Sequence, residues 1–117
     1  MCYHQEVIEI RQYVDRLGRT PFLKWLYELN DEARASIATA LERLERGNLS
    51  SVKSVGAGVQ EVRIDFGPGY RVYFGWDGLK LVILLAGGIK KRQQADIEHA
   101  KELWQEFKKR KREGTWH

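Results

Sequence analysis

The side chains able to do chemistry sit at even spacing in the second half of the chain. Arg63, Arg71 and Tyr73 occupy alternate positions of two strand-like runs, Lys80 opens a third, and Lys90, Lys91, Arg92 and Gln93 follow it. An arginine presents a planar fork of donors to phosphate, and a tyrosine offers a stacking ring or a hydroxyl. Such a set suits cleavage of RNA by its own 2′-hydroxyl. That reaction needs removal of the hydroxyl proton, stabilisation of the phosphorane charge and protonation of the leaving 5′-oxygen. Arginines serve the second need, and a lysine whose pKa is depressed by neighbouring cations serves the first. DNA lacks the 2′-hydroxyl and is not cut this way. A structural reading also fits: Asp65 against Arg71 is a cross-strand ion pair and Glu61 can pair with Arg63 or Lys80, such pairs contributing about 0.2–1 kcal/mol each.

Other chemistries lack their residues. Gly56-Ala57-Gly58 and Gly67-Pro68-Gly69 are too short for a phosphate loop and precede strands. His4, His99 and His117 have no metal-ligand spacing, and no Gly-x-Ser-x-Gly is present. Cys2 is the single cysteine, which excludes an internal disulfide and a Cys-rich zinc site. No metal and no cofactor is expected. The longest apolar run, Leu81 to Ala86, is too short to cross a bilayer, and no secretory signal is visible, so a cytoplasmic location is expected.

The net charge of +4 hides two basic blocks. Residues 53–92 carry seven basic and three acidic side chains, and residues 108–117 carry five and one. Lys108, Lys109 and Arg110 in the second block are candidate RNA contacts, as Lys80, Lys91, Arg92 and Gln93 are in the first. The second block also reads as a frayed helix end with cations at its C-terminus.

The elements that must position these residues follow from periodicity. Val7, Ile8 and Ile10 favour a short first strand over 6–10. Thr20-Pro21 starts a helix, with Thr20 capping the first amides. Phe22, Trp25, Leu26 and Leu29 then recur at helical spacing. Asn30 or Asp31 caps a second helix, whose stripe of Ala33, Ile37, Ala40, Leu41 and Leu44 stops at Gly47. Beyond Ser50 the period falls to two. Runs 61–66, 70–76 and 79–85, separated by Gly67-Pro68-Gly69 and Asp77-Gly78, predict a three-stranded antiparallel meander. Gly87-Gly88 ends the sheet, and Ile97, Ala100, Trp104 and Phe107 mark a last helix from about Gln93. The fold class is α+β: an N-terminal strand and helical hairpin packed on a twisted antiparallel sheet, followed by a C-terminal helix. One domain spans 1–107, with a basic tail over 108–117.

The turns set a register. A two-residue Asp77-Gly78 loop places Trp76 opposite Leu79, Tyr73 opposite Val82 and Arg71 opposite Leu84. The Gly67–Gly69 turn places Phe66 opposite Tyr70, Asp65 opposite Arg71 and Arg63 opposite Tyr73. Val62, Ile64, Phe66, Tyr70, Val72, Phe74, Leu81 and Ile83 then face the helices. Glu61, Arg63, Asp65, Arg71, Tyr73 and Lys80 form an outward, cation-rich face.

Together these residues resemble a known family. The stretch from Gly58 to Gly75, the segment Leu84 to Lys90 with Gln93, and Asp96-Ile97 are similar to the "addiction module killer protein" group. That group is a HigB-like branch of the RelE/ParE toxin superfamily. Arg19 to Phe22, Trp25-Leu26, and Gly47-Asn48 through Val52 to Gly56 match its layout, so the resemblance runs from about Arg11 to Phe107. It implies a compact α+β toxin of a type II toxin–antitoxin system, neutralised by a small helix-turn-helix antitoxin. It also implies cleavage of messenger RNA in the ribosome, and operator DNA contacted only through the antitoxin complex. Arg63 matches the family's Glu-x-Arg element, Arg71 and Tyr73 its Gly-Tyr-Arg-x-Tyr element, and Lys90 and Gln93 its Gly-Gly-x-Lys-x-x-Gln element. The implied catalytic set is Arg63 and Arg71 on phosphate, Lys90 as base or second clamp, and Tyr73 stacking on a base or orienting the backbone. Ile89 departs from the group, where an acidic residue is common before the lysine, and leaves this loop more positive.

Three functions compete on this sequence: a ribosome-dependent endoribonuclease, a gyrase poison of the ParE kind, and a module that only binds antitoxin or nucleic acid. If the outward face is the active surface, Arg71→Ala abolishes toxicity while fold and antitoxin binding persist. Growth of cells expressing the variant is the check, and a fully toxic variant overturns the assignment.

Overall fold

The computed structural model describes residues 8–114. In chain order the elements are β1 (Glu9–Gln12), α1 (Pro21–Tyr27), α2 (Asp31–Glu45), β2 (Val52–Gly56), β3 (Val59–Ile64), β4 (Tyr70–Asp77), β5 (Leu81–Ile89), a 3₁₀ turn (Lys90–Arg92) and α3 (Gln93–Arg112). The strands form one five-stranded sheet in the order β1-β5-β4-β3-β2. The α+β class and the C-terminal helix expected above are present.

Pro21 occupies the first turn of α1, as its missing N–H allows, but the Thr20 side chain makes no capping bond. Asn30 does cap α2: its Oδ1 accepts from the Ala33 amide at 2.8 Å. Gly47, at φ +83°, ends that helix in the left-handed region open to glycine.

The sheet is larger and less uniform than a meander. β1 spans Glu9–Gln12 and pairs parallel with β5, Glu9 lying opposite Leu81. Of the expected first strand, residues 6 and 7 lie outside the described residues. β2 is an additional strand, antiparallel to β3 across the tight turn at Gly56-Ala57-Gly58, where Ala57 takes φ +55°. As an exposed edge strand of mixed polarity it carries no clear alternation to read.

Both registers differ from the expected ones. β3 stops at Ile64, which pairs with Tyr70, so the turn holds five residues and Phe66 lies half exposed in it. Arg63 therefore faces Arg71, and Glu61 faces Tyr73. The shift of two leaves the same side chains on the same face. In β4–β5 the loop lengthens by one residue: Asp77 pairs with Leu81 and Trp76 with Val82. The odd shift sends Leu81 and Ile83 to the opposite face from that expected, and Val82 and Leu84 join Phe74. A bulge then follows, Tyr73 facing Ala86 while Phe74 faces Leu84. Beyond it, Gly87 lies opposite Val72 and Gly88 opposite Arg71.

Helices cover both faces. On one, α1 and α2 bury Phe22, Ala33, Ile37 and Leu44 against Val62, Val72, Phe74 and Leu84. On the other, α3 lays Ile97, Ala100, Trp104 and Phe107 over Val59, Tyr73, Ile83 and Leu85. The face expected to be outward is thus a second core. Gly75 permits the approach, since a Cβ there would stand 2.6 Å from the Trp104 ring. Each such apolar side chain contributes about 1.5–3 kcal/mol on burial.

The basic segment expected to fray is helical to Arg112 and docked. Arg110 is buried, donates from Nη1 to the Val14 carbonyl at 2.6 Å, and lies over the Tyr13 ring, 5.9 Å from its centroid. Lys111 pairs with Asp77, and Arg16 bridges Glu106 at 2.7 Å and Glu113 at 3.1 Å. Arg110→Ala is therefore expected to cost about 1–3 kcal/mol of stability, while exposed Lys109→Ala stays within about 0.5 kcal/mol. Urea unfolding of the two variants against the parent checks this, and equal midpoints overturn the docking.

Candidate functional site

The site is built at the end of the sheet where β3 turns into β4 and β5 runs into the 3₁₀ turn. Strand pairing sets Arg63, Arg71 and Gly88 side by side on three neighbouring strands, and Glu61, Tyr73 and Ala86 on the next rank. The Lys90 amide donates to the Gly69 carbonyl at 2.8 Å, which fixes the start of the 3₁₀ turn against the β3–β4 turn. Lys90, Lys91 and Arg92 leave that turn exposed, and Arg63 is exposed on β3. Four solvated cations from two separate segments thus border the buried Arg71.

Beneath them lies an enclosed polar group. Glu61 is 1% exposed and Arg71 4%. Arg71 Nε stands 3.9 Å from Glu61 Oε2, an ion pair without a direct hydrogen bond from that nitrogen. Gln93, at the start of α3, donates from Nε2 to Glu61 Oε1 at 3.0 Å and Oε2 at 3.3 Å. Asp96, one turn on, presses its carboxylate onto Gly88, where a Cβ would overlap Oδ2. A buried carboxylate held by a guanidinium and an amide is costly to disturb, because removing one partner leaves a charge stranded. Arg71→Ala therefore removes the cation facing Glu61 and changes folding together with chemistry.

Burial shifts two groups here. Desolvation raises the Tyr73 hydroxyl far above the usual phenol range, Glu61 and Asp96 add to the rise, and Arg71 opposes it. Tyr73 stays protonated at neutral pH, so its hydroxyl is no base there. Its ring is fully covered, and its oxygen has no hydrogen-bond partner among the described residues. Desolvation also raises the Asp96 carboxyl, with Arg92 and His99 pulling the other way.

The candidate residues of the sequence divide into two sets. Arg63, Arg71, Tyr73, Lys90, Lys91, Arg92 and Gln93 come together at this end. Lys80, Lys108 and Lys109 do not: Lys80 lies in the β4–β5 turn, and the end of α3 is anchored beside it through Lys111 and Asp77. Arg71 and Asp77 lie near opposite ends of β4, a span of about 20 Å. Arg110 is a packing residue and not a free cation. Glu61 as the buried anchor, and Asp96, were missed as members of the site; the alternation of Glu61 with Arg63 placed it on the right face, but only the cover of α3 makes it an anchor. Among the described residues no set of His, Cys, Asp and Glu gathers as metal ligands. None of the described helices is long and apolar enough to cross a membrane.

Comparison with known proteins covers this site. Residues 24–108 match the family described as phage derived protein Gp49-like (DUF891), a span that includes the whole rank from Glu61 to Asp96. The chain is also 49% identical over 87 residues to an uncharacterised protein of Haemophilus influenzae, across 74% of this chain and 88% of that one.

The covered hydroxyl yields a test. Tyr73→Phe removes a desolvated group, so stability at neutral pH is expected to be unchanged or higher by up to about 1 kcal/mol. In the parent, the folded-state pKa lies above the unfolded value near 10, so this group's stabilising contribution is whole below about pH 10 and is lost as pH rises beyond it. Tyr13, raised mainly by its burial, has the same sign. The Tyr73→Phe variant should show a smaller alkaline loss; denaturant midpoints from about pH 8 to 11.5 check it, and an unaltered slope overturns the assignment.

Proposed function

The chain belongs to the phage-derived Gp49-like family, which is of the RelE toxin–antitoxin type, and from that premise we propose that it is a type II toxin that cuts messenger RNA on the ribosome. The observation that carries this reading is the convergence of Arg63, Arg71 and Lys90, from three segments of chain, at one end of the sheet. Exposed Arg63 and Lys90 hold the scissile phosphate from two sides. Arg71, enclosed, adds its charge from beneath, oriented by Glu61. Lys91 and Arg92 continue the positive rim along the RNA backbone, and Gln93 holds Glu61.

The step is an in-line displacement. The 2′-oxygen forms a bond to phosphorus as its proton passes to the surrounding water, with Lys90 as the second clamp on the phosphate. The bond from phosphorus to the 5′-oxygen breaks, and that oxygen takes a proton from the surrounding water. The products are a 2′,3′-cyclic phosphate and a 5′-hydroxyl. Arginine donors aimed at the phosphorane oxygens stabilise the charge where it develops. Tyr73 serves as the floor under Arg71 and positions it, since a covered ring is not available for stacking. The inhibitory partner is a cognate helix-turn-helix antitoxin, and operator DNA is met only through the complex.

Expression from a tightly repressed promoter, with mapping of new RNA 5′ ends, tests the proposal. Growth arrest with codon-phased ends in translated messages is expected, and Arg63→Ala is expected to lower the cleavage rate about 100-fold. Arrest with intact messages and damaged DNA overturns it in favour of gyrase; no arrest overturns it in favour of a binding module.

A further inference from the structure

The cations at the sheet end answer one need of RNA cleavage, the charge on the phosphorane. The leaving 5′-oxygen still needs a proton. Three carboxyls and a phenol stand at or near this end of the sheet. Glu61 is 1% exposed and engaged by Arg71 and Gln93. The Tyr73 hydroxyl is covered. Asp65 is fully solvated in the β3–β4 turn. Asp96 differs from all of these: it is half-buried, and its carboxyl has no hydrogen bond or ion pair among the described residues.

The sheet sets its place. Strand pairing aligns Gly88, Arg71 and Arg63 on β5, β4 and β3. The Asp96 carboxyl lies directly on Gly88, in space that a Cβ would fill. Neighbouring strands are about 4.8 Å apart, so it stands over the strand next to Arg71 and about 10 Å across the sheet from Arg63. Lys90 follows Gly88 by two residues, at the start of the 3₁₀ turn. A phosphate clamped between Arg63 and Lys90 therefore has Asp96 on its β5 side.

From this placement we propose that Asp96 is the general acid of the cleavage, giving its carboxyl proton to the departing 5′-oxygen. In-line displacement sets the attacking and departing oxygens on opposite sides of phosphorus, so the 5′-oxygen lies toward β5 and the 2′-oxygen toward β3. As the bond from phosphorus to the 5′-oxygen breaks, its electron pair takes the proton and a 5′-hydroxyl leaves. Asp96 remains as a carboxylate and regains a proton from solvent. Burial suits it to this role, raising its carboxyl above the ordinary carboxylate range against the pull of Arg92 and His99. A phosphate bound alongside adds negative charge and favours the protonated form further. His99, one turn on, is exposed and lines the groove beside α1.

The inference rests on the ribonuclease reading, and sulfur substitution separates the two. The full chain is given ribosomes programmed with a message whose scissile linkage, at the position the parent cuts, carries oxygen or sulfur as the 5′ bridging atom. A thiolate leaves without a proton, so the sulfur message has no need of the acid. Asp96→Asn, equal in size, is expected to cut the oxygen message about 100-fold more slowly and the sulfur message at nearly the parent's rate. The ratio of the two rates is independent of the fraction of folded protein, and Asp96→Ala, a second variant, is expected to raise it equally. An unchanged ratio overturns the proposal, whether both rates persist or both fall; in the second case Asp96 only packs α3 on Gly88. A raised ratio in Asp65→Asn or His99→Gln, with Asp96→Asn at the parent's ratio, overturns it in favour of that residue. A parent that cuts neither message overturns the ribonuclease reading and the acid with it.

Discussion

The Glu61–Arg71 pair sealed beneath the start of α3 is the constraint around which this end of the molecule is arranged. Two charges on one face of a sheet are ordinarily left to solvent. Here a helix crosses that face, and each charge must find partners inside. Glu61 has the guanidinium on one side and the Gln93 amide on the other. Gln93 belongs to the helix that does the covering, so closure of α3 and satisfaction of Glu61 are a single event. Such a buried pair is no net source of stability against an apolar core of equal volume, but separating its members is expensive. Its physical effect is to hold one guanidinium, and one sheet-to-helix register, in a single place.

Close approach of α3 depends on what the sheet lacks. Gly75 receives the Trp104 ring and Gly88 the Asp96 carboxylate, at distances no Cβ would tolerate. The β5 bulge makes the second contact possible. Without an extra residue at Leu85, Gly88 would fall on the α1 face and Gly87 under α3. With it, Gly87 accepts Trp25 and Gly88 accepts Asp96. Adjacent glycines thus serve opposite faces, and the strand continues past the point where a glycine pair suggests it should end.

This explains what was legible in the sequence. Period-two alternation in β3 and β4 placed Glu61, Arg63, Arg71 and Tyr73 on one face, because their two-residue register error leaves facing unchanged. Helical spacing gave α1, α2 and the start of α3 for the same reason: the apolar stripe is a local property. The fate of that face was not legible. Arg71 and Tyr73 look solvated by residue type, and only the second apolar stripe, on α3, shows that something must lie over them; Trp104 and Phe107 had to be buried somewhere. Asp77-Gly78 misled because a two-residue hairpin is the simplest reading of that pair, while Leu79, almost fully exposed, belongs to the loop. β2 has no readable pattern because neither of its faces is well covered.

The charge map narrows accordingly. Read along the chain, basicity falls in two blocks of equal net value, and each invites a polyanion. In three dimensions they are not equivalent. The block at 108–112 is in part consumed inside the molecule: Arg110 caps Tyr13 and the Val14 carbonyl, and Lys111 neutralises Asp77. Its charges hold the end of α3 against the β4–β5 turn. The block at 53–92 keeps Arg63, Lys90, Lys91 and Arg92 in solvent, with Arg71 balanced by Glu61 below. A field that steers an anion is set by charges left uncompensated, and four of them border the sheet end. The same helix that buries Arg71 therefore shapes where the protein is positive: it engages Arg110 and Lys111 of its own last turn in packing and pairing and leaves the cations before its first turn in solvent.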